Sequence, residues 1–316
     1  MRRPRLYGPA LILGAVLLGG CASTPLQHRH LPPPEAGAAT AVELAEVAFH
    51  PQQAYHCGPA SLATLMNWQG EPVQPDELAP RVFLAGRQGS LQAEMLAGAR
   101  RQGLLPYVHP PRFEALLAEL DAGNPVLVLK NLGFERRPVW HYAVVIGYDR
   151  ERAQVVMRSG TTERKVLSFR RFERRWQGGE YWAITLHQPG AFPAGAEEGR
   201  YLRAAAGLEQ AGRLREADAA YRAAAARWPH SMTAPLGVGN VQYRLQRYEE
   251  AAVAYRAALE RDPDSAAAHH NLAWALMRLD RNEEARRHAL AARRLAPEQG
   301  EHYAGAWEAL QQQDRL

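Results

Sequence analysis

The sequence lacks the features of several large protein classes. Its net charge of +5 comes from 38 basic and 33 acidic residues spread along the chain, a balance that argues little for a nucleic-acid partner. It has neither the aromatic and basic alternation of an RNA-binding sheet nor a glycine-rich phosphate loop after a strand pattern. We therefore expect no nucleic-acid binding and no nucleotide chemistry. With 47% hydrophobic residues, the chain can form one to three globular domains.

Cysteine is also scarce, with two residues among 316. Cys21 follows several arginines, an apolar run from Pro9 to Leu18 and small residues, a pattern typical of a signal peptide over residues 1–20. The apolar run is shorter than the roughly 20 residues that a membrane-spanning helix needs. The segment LGGC at residues 18–21 resembles a bacterial lipobox, in which cleavage before the cysteine is coupled to its lipidation. An ordinary secretory signal with a chance cysteine is the alternative.

Lipidation of Cys21 would anchor the protein to a membrane, because several acyl chains hold stably where one is marginal. Alanine, and not aspartate, follows the cysteine at position 22. By resemblance to lipoprotein sorting rules, this favours the periplasmic face of the outer membrane of a Gram-negative bacterium. Residues 21–47 are rich in proline and small residues without sustained apolar periodicity, which predicts a flexible tether.

The C-terminal part of the chain contains an internal repeat. Equivalent residues 34 positions apart are Pro229, Pro263 and Pro297, and likewise Ala217, Ala251 and Ala285. Small residues where paired helices cross, and proline where the second helix ends, resemble the tetratricopeptide repeat at this period. The best unit has the motif residues Gly239, Ala251, Tyr255, Ala258 and Pro263. The resemblance implies about three repeats and a capping helix over residues 198–316, with a concave face that binds a protein partner or an extended peptide.

The middle of the chain, residues 48–190, combines helical and strand patterns. Helical patterns come first, over residues 57–68, 75–83, 91–102 and 112–120. Strand patterns follow in the stretches PVLVLKN, HYAVVIGYD, AQVVMRS, ERKVLSF and EYWAITL. Helices followed by antiparallel strands predict an α+β domain, which precedes the all-α repeat solenoid.

If Cys21 is lipidated, Cys57 has no partner for an intrachain disulfide, and its thiol is either buried and inert or reactive. Pro59 predicts that a helix begins at this cysteine, since proline fits the first helical turn, where its missing N–H costs nothing. The N-terminus of a helix stabilises a thiolate through free backbone N–H groups and the aligned peptide dipole. We therefore expect Cys57 to be an ionised nucleophile, with a buried structural thiol as the alternative.

A nucleophilic cysteine needs a base and donors for the developing oxyanion. His141 heads a strand pattern and is the best candidate base, and Gln52, five positions before Cys57, is a candidate oxyanion donor. This order of glutamine, cysteine and histidine resembles papain-like enzymes. The stretches CGPASLATLM and HYAVVIGYD resemble most closely the bacteriocin-processing, double-glycine peptidase family. The resemblance covers residues 49–186 and implies a papain-like fold, a peptide or protein substrate, and no metal or organic cofactor.

One position departs from the pattern of that family, which places Asp or Asn on the strand after the histidine. The corresponding region reads VVMRSGTT, with Ser159 nearest to the expected position and no carboxylate. Asp149 lies about 26 Å from His141 along a straight strand and is out of reach. Ser159 can accept a hydrogen bond from the ring, but a neutral group stabilises an imidazolium poorly. A catalytically silent scaffold, and an acyl or amide transferase using the same Cys–His pair, are therefore alternative interpretations.

Overall fold

The computed structural model describes residues 26–34, 39–51, 56–87, 89–297 and 300–313. Cys21 and Gln52 lie outside the described residues, so their expected roles stay predictions. Within the ranges given, no helix has the length and apolar character needed to cross a membrane.

The first part of the described chain forms an α+β domain built on an antiparallel sheet, as the sequence predicts. Its elements in chain order are β1 (Ala41–Glu43), α1 (Cys57–Trp68), α2 (Pro75–Val82), α3 (Gln92–Arg101), β2 (Leu105–Val108), α4 (Phe113–Asp121), β3 (Val126–Asn131), β4 (Trp140–Asp149), β5 (Gln154–Ser159), β6 (Thr162–Ser168), α5 (Phe169–Gln177) and β7 (Ala183–His187).

In the described residues the sheet has seven strands, in the order β2-β7-β3-β4-β5-β6, with β1 paired to β4. Strand β4 is the longest, because β3 pairs with its first half and β1 pairs with its last three residues along the same edge. The register of β3 and β4 sets Lys130 opposite His141. Cross-strand partners point to the same face of a sheet, so this register decides what surrounds the histidine.

Apolar side chains cover both faces of the sheet and form two cores. One core packs α1, with Leu62, Leu65 and Met66, against Tyr142 and other residues of one face. The other packs α4 and α5 against the opposite face, around Phe113 and Trp176. The long apolar strand runs of the sequence follow from this burial on both sides.

The structure adds three elements that the sequence patterns did not predict. Strands β1 and β2 are only three and four residues long. Helix α5 has the sequence FRRFERRWQ, in which the arginines obscure a buried stripe that includes Phe169, Phe172 and Trp176. The last strand is shorter than expected at its start, because Glu180 and Tyr181 have positive φ and form a turn before Ala183.

The predicted tether over residues 21–47 differs from the structure where the chain is described. The segment Gln27–His30 forms a 3₁₀ turn on the surface of α5. The backbone N–H groups of Gln27 and His28 donate to the buried carboxylate of Glu173, at 2.5 and 3.0 Å. Strand β1 joins the sheet, and Val47 is fully buried. Composition alone did not reveal these contacts, because they depend on one buried glutamate and on backbone pairing.

The second part of the described chain is a run of paired helices, which confirms the predicted solenoid. Its members are α6 (Glu198–Gln210), α7 (Leu214–Arg227), α8 (Thr233–Arg244), α9 (Tyr248–Arg261), α10 (Ala266–Met277), α11 (Asn282–Leu295) and α12 (Gly300–Gln313). Helix α6 also packs on edge strand β2, where the Tyr107 hydroxyl accepts a hydrogen bond from the Glu197 N–H at 3.0 Å.

Small residues lie where the paired helices cross. The repeat alanines Ala217, Ala251 and Ala285 are completely buried. Gly239 of α8 lies against the ring of Tyr255 of α9, so closely that an added Cβ would be 2.4 Å from the ring. Packing therefore explains why the repeat motif has glycine at position 239. The Tyr255 ring occupies the space that a side chain at this position would need.

We expect Gly239→Ala to lower the stability of the solenoid by about 1–3 kcal/mol, because the new methyl group overpacks against the buried Tyr255 ring. Gly305→Ala in α12 is the matched control, since its Cβ would meet only Trp274 at an ordinary 3.5 Å. The control substitution should raise the stability by about 1 kcal/mol, because alanine has a higher helix propensity than glycine and meets no clash at this position. Urea unfolding followed by circular dichroism measures both changes. Equal stabilisation by the two substitutions would contradict this packing.

Candidate active site

Cys57 is the first residue of α1, as the Pro59 signal predicts. The helix is held by its apolar body, in which Leu62, Leu65 and Met66 are buried against the sheet. The Cys57 side chain itself is half-buried at the margin of this core. The thiol is therefore neither an interior core residue nor a fully exposed surface group.

The electrostatic surroundings of Cys57 differ from the expected ionised thiolate. The backbone N–H groups of Tyr142, Gly58 and Cys57 itself lower its pKa, as the helix-start argument requires. Burial acts in the opposite direction and is the largest effect, so the pKa of the thiol is raised above its ordinary value of 9.0. The expectation of a resting thiolate is therefore wrong for this structure, because desolvation outweighs the helix N-terminus.

Gly58 has a packing role beside the thiol. A Cβ at this position would lie 2.3 Å from the Oγ of Ser90, so only glycine lets the helix start approach the segment before α3 this closely. The Ser90 carbonyl in turn accepts a hydrogen bond from the Tyr142 hydroxyl at 3.1 Å. The helix start, Ser90 and β4 are thus held together around Cys57.

His141 is the second residue of β4, and its ring is partly buried. Its Nε2 lies 3.0 Å from the Oγ of Ser159, which is 2% exposed at the end of β5. The β5–β6 pairing changes register between Met157 and Ser159. The structure thus brings together the two residues that the sequence analysis linked, whereas Asp149 lies at the far end of β4 in an ion pair with Arg152.

Cys57 is linked to the strand of His141 through the backbone of β4. The sulfur interacts with the N–H of Tyr142, the residue that follows His141. Among the described residues, no hydrogen bond joins the thiol directly to the imidazole.

Lys130 is a site residue that the sequence analysis missed. It lies in β3 opposite His141, and its side chain is 1% exposed. Its Nζ contacts the Sδ of Met157 at 3.2 Å, and no carboxylate in the described chain pairs with it. Burial, followed by repulsion from Lys165 and Arg175, lowers the pKa of Lys130 to about 7. A lone lysine inside the apolar stretch PVLVLKN was the only signal in the sequence.

The charges around His141 are positive. Burial is the main cause that lowers its pKa to about 4, and the cations Lys130, Lys165 and Arg175 lower it further. No carboxylate of the described residues contributes in the opposite direction. The imidazole is therefore neutral near pH 7, and it does not form an ion pair with Cys57 at rest.

The comparisons with known proteins agree with these two parts of the chain. Residues 44–183 match the model of the Peptidase_C39 like family. Residues 202–256 match a model described as tetratricopeptide repeat, and residues 239–280 match one described as TPR repeat. No curated protein is similar enough to count as a relative.

Two solved structures are similar to the first part of the chain. One is a protein from Bacillus anthracis described as a C39-like peptidase, with 19% identity, a TM-score of 0.39, and coverage of 46% of this chain and 97% of that chain. The other is the peptidase domain of Streptococcus ComA, described as a bi-functional ABC transporter involved in a quorum-sensing pathway. Its identity is 23%, its TM-score is 0.37, and the match covers 44% of this chain and 97% of that chain.

The chain therefore contains a Peptidase C39-like α+β domain over residues 44–183, followed by tetratricopeptide repeats.

Proposed function

We propose that the protein is a cysteine peptidase in which Cys57 is the nucleophile and His141 is the base. The contact between His141 Nε2 and Ser159 Oγ is the observation that supports this most directly. With Nε2 held by Ser159, the proposed proton exchange with the sulfur uses the other ring nitrogen, Nδ1. The family match implies a peptide substrate for such a pair.

The raised pKa of Cys57 and the lowered pKa of His141 define the first step. The neutral imidazole takes the thiol proton as the sulfur attacks the carbonyl carbon of the scissile peptide bond. The carbonyl oxygen becomes an oxyanion, for which Gln52 and the Cys57 N–H are the proposed donors. The imidazolium then protonates the leaving amine, and the thioester left on Cys57 is hydrolysed by water. Ser159 orients the ring throughout.

The repeats are proposed to bind the substrate or a partner protein. Between α6, α8, α9 and α10 lies a cavity of about 470 Å³, lined mainly by Glu209, Asn240, Tyr243, Tyr255, Asn271 and Trp274. The Asn240 Oδ1 accepts hydrogen bonds from the Tyr255 hydroxyl at 3.1 Å and from the Asn271 amide at 2.9 Å. Aromatic surface around ordered amides suits an extended peptide, whose backbone needs such partners.

A catalytically silent scaffold is the second candidate, and two observations favour it. The pKa of the Cys57 thiol is raised, and a serine occupies the position nearest to that of the expected carboxylate or amide. In that case the C39-like domain and the repeats would bind partners without cleaving them. The two candidates differ in whether the Cys57 sulfur and the His141 ring are needed for any reaction.

The peptidase proposal predicts that Cys57→Ala and His141→Ala each reduce the cleavage of a peptide library by about a thousandfold or more, because the nucleophile or its base is lost. The background is the full chain with Cys21→Ser, in which Cys57 is the sole cysteine. His230→Ala is the matched control, since this exposed histidine lies in the repeats. Mass spectrometry of the products measures the cleavage. Equal turnover by all of these proteins would exclude the peptidase.

A carboxylate at position 159 should increase the activity. We expect Ser159→Asp to raise kcat/KM by about tenfold, because an anion beside Nε2 stabilises the imidazolium that forms during attack. Ser159→Asn is the neutral control, with a similar volume and no charge. Steady-state kinetics measures the effect, and circular dichroism verifies that both variants fold. If the aspartate and asparagine variants show the same kcat/KM, Ser159 does not act on the ring in this way.

We also propose that the protein is lipid-anchored through Cys21 on the periplasmic face of an outer membrane, supported by the LGGC segment and the alanine that follows. Cys21→Ser should move the protein from the membrane fraction to the soluble fraction, because the acylation site is lost. Cys57→Ser is the matched control and should stay with the membrane. Cell fractionation and immunoblotting measure the distribution. Retention of the Cys21 variant in the membrane fraction would contradict the anchor.

A further inference from the structure

We infer that the site selects acidic peptides, in which a carboxylate side chain near the scissile bond is recognised by a basic rim around His141. The basic rim consists of Arg136, Arg137, Lys165 and Arg175. This inference rests on the proposed peptidase function and names the substrate class of the same site.

The first observation is a line of cations across one face of the sheet. Lys165 of β6 pairs with Met157 of β5, so the two side chains share a face. The Met157 sulfur contacts the ammonium of Lys130, and Lys130 lies opposite His141. The buried lysine is out of the reach of a substrate, whereas the half-buried Lys165 beside it is accessible.

Helix α5, which packs on the same face of the sheet, contributes a further cation, Arg175. Its C-terminal end packs on the end of β3, where the glycines after the helix lie against Leu129 and Asn131. Arg175 is in the last turn of this helix and is partly exposed. Its charge acts on both His141 and Lys130, which lowers the pKa of each. Lys165 thus acts on the histidine from the sheet, and Arg175 acts on it from the helix.

The β3–β4 hairpin, residues 131–140, carries the outer part of the rim. The Oδ1 of Asn131 accepts the N–H groups of Gly133 and Val139 and shapes the hairpin. Arg136 and Arg137 are exposed at its tip, and the chain runs from there directly into His141. Phe134 is 83% exposed and Trp140 is 52% exposed. Exposed aromatic side chains beside the catalytic strand suit a peptide that carries an apolar residue next to the acidic one.

Few acidic residues oppose these charges. Glu135, Glu163 and Glu180 lie on nearby segments and are exposed. Among the described residues, none of them forms an ion pair with the rim, and no carboxylate influences the pKa of His141. A cleft lined by one sign of charge concentrates ligands of the opposite sign. A substrate carboxylate would supply the counter-charge that this site lacks, and it would also favour the imidazolium formed during attack.

Alkylation of Cys57 tests the charge of the site independently of cleavage. Iodoacetate and iodoacetamide have similar size and the same reacting carbon, but only iodoacetate carries a negative charge. We expect the rate ratio of iodoacetate to iodoacetamide to be about tenfold higher for Cys57 than for the uncharged N-acetylcysteine amide at the same pH. This difference between the two rate ratios should become smaller at about 1 M salt, because the Debye length there is about 3 Å and the positive charges are screened. The full chain with Cys21→Ser is the protein used.

Two variants remove accessible cations of the rim. Lys165→Gln and Arg175→Gln should each lower the rate ratio several-fold, because each removes a positive charge that acts on His141 and would attract an anionic reagent to the site. Arg215→Gln is the matched control, since it removes an exposed arginine of α7 in the repeats and should leave the ratio unchanged. The inference would be overturned if the rate ratio for Cys57 equalled that for N-acetylcysteine amide. It would also be overturned if Arg215→Gln lowered the ratio as much as Lys165→Gln and Arg175→Gln do.

Peptide cleavage provides the second measurement. Peptides with glutamate near the scissile bond should be cleaved with a kcat/KM about tenfold above that of the matched glutamine peptides, and the Lys165→Gln variant should reduce this preference. If no peptide is cleaved but the alkylation ratio is high, the basic rim stands as an anion-selective site and only the peptidase assignment fails. Equal cleavage of glutamate and glutamine peptides would contradict the acidic substrate.

Discussion

The pairing of β3 with β4 is the constraint on which the rest of the site depends. Its register sets Lys130 opposite His141 and places the Tyr142 N–H beside the sulfur of Cys57. A slip of one residue would turn His141 to the other face and separate it from Ser159. The apolar cores on both faces hold this register, because each strand residue has its own buried surroundings. Packing therefore determines the geometry of the candidate catalytic groups.

The same burial determines the protonation of the site. Desolvation raises the pKa of the Cys57 thiol and lowers that of the His141 ring, and the neighbouring cations add to the second effect. In a site with a buried carboxylate beside the histidine, the imidazolium is stabilised and the cysteine is ionised at rest. Here a neutral serine and a buried lysine occupy the surroundings of the ring. In the proposed mechanism, the neutral pair transfers its proton only as the substrate carbonyl is attacked.

Local sequence patterns predicted the fold well and the site in part. The Pro59 signal located the start of α1, and the 34-residue spacing located the paired helices, because both depend on neighbouring residues in the chain. Ser159 was identified by its place on the next strand. Lys130 was missed, since its importance arises from the β3–β4 register and from burial by residues far away in sequence. The docking of Gln27 and His28 on Glu173 was missed for the same reason.

Burial outweighs the helix N-terminus at Cys57, so that the resting side chain is a thiol. The most direct measurement is the ultraviolet absorbance of the thiolate as a function of pH, taken as the difference between the chain with Cys21→Ser and the same chain with Cys57→Ala. Because burial raises the pKa of the thiol, we expect the midpoint of the absorbance change to lie above pH 9, the ordinary pKa of the thiol. A thiolate already present at about pH 6, as in cysteines activated by a positive environment, would contradict it.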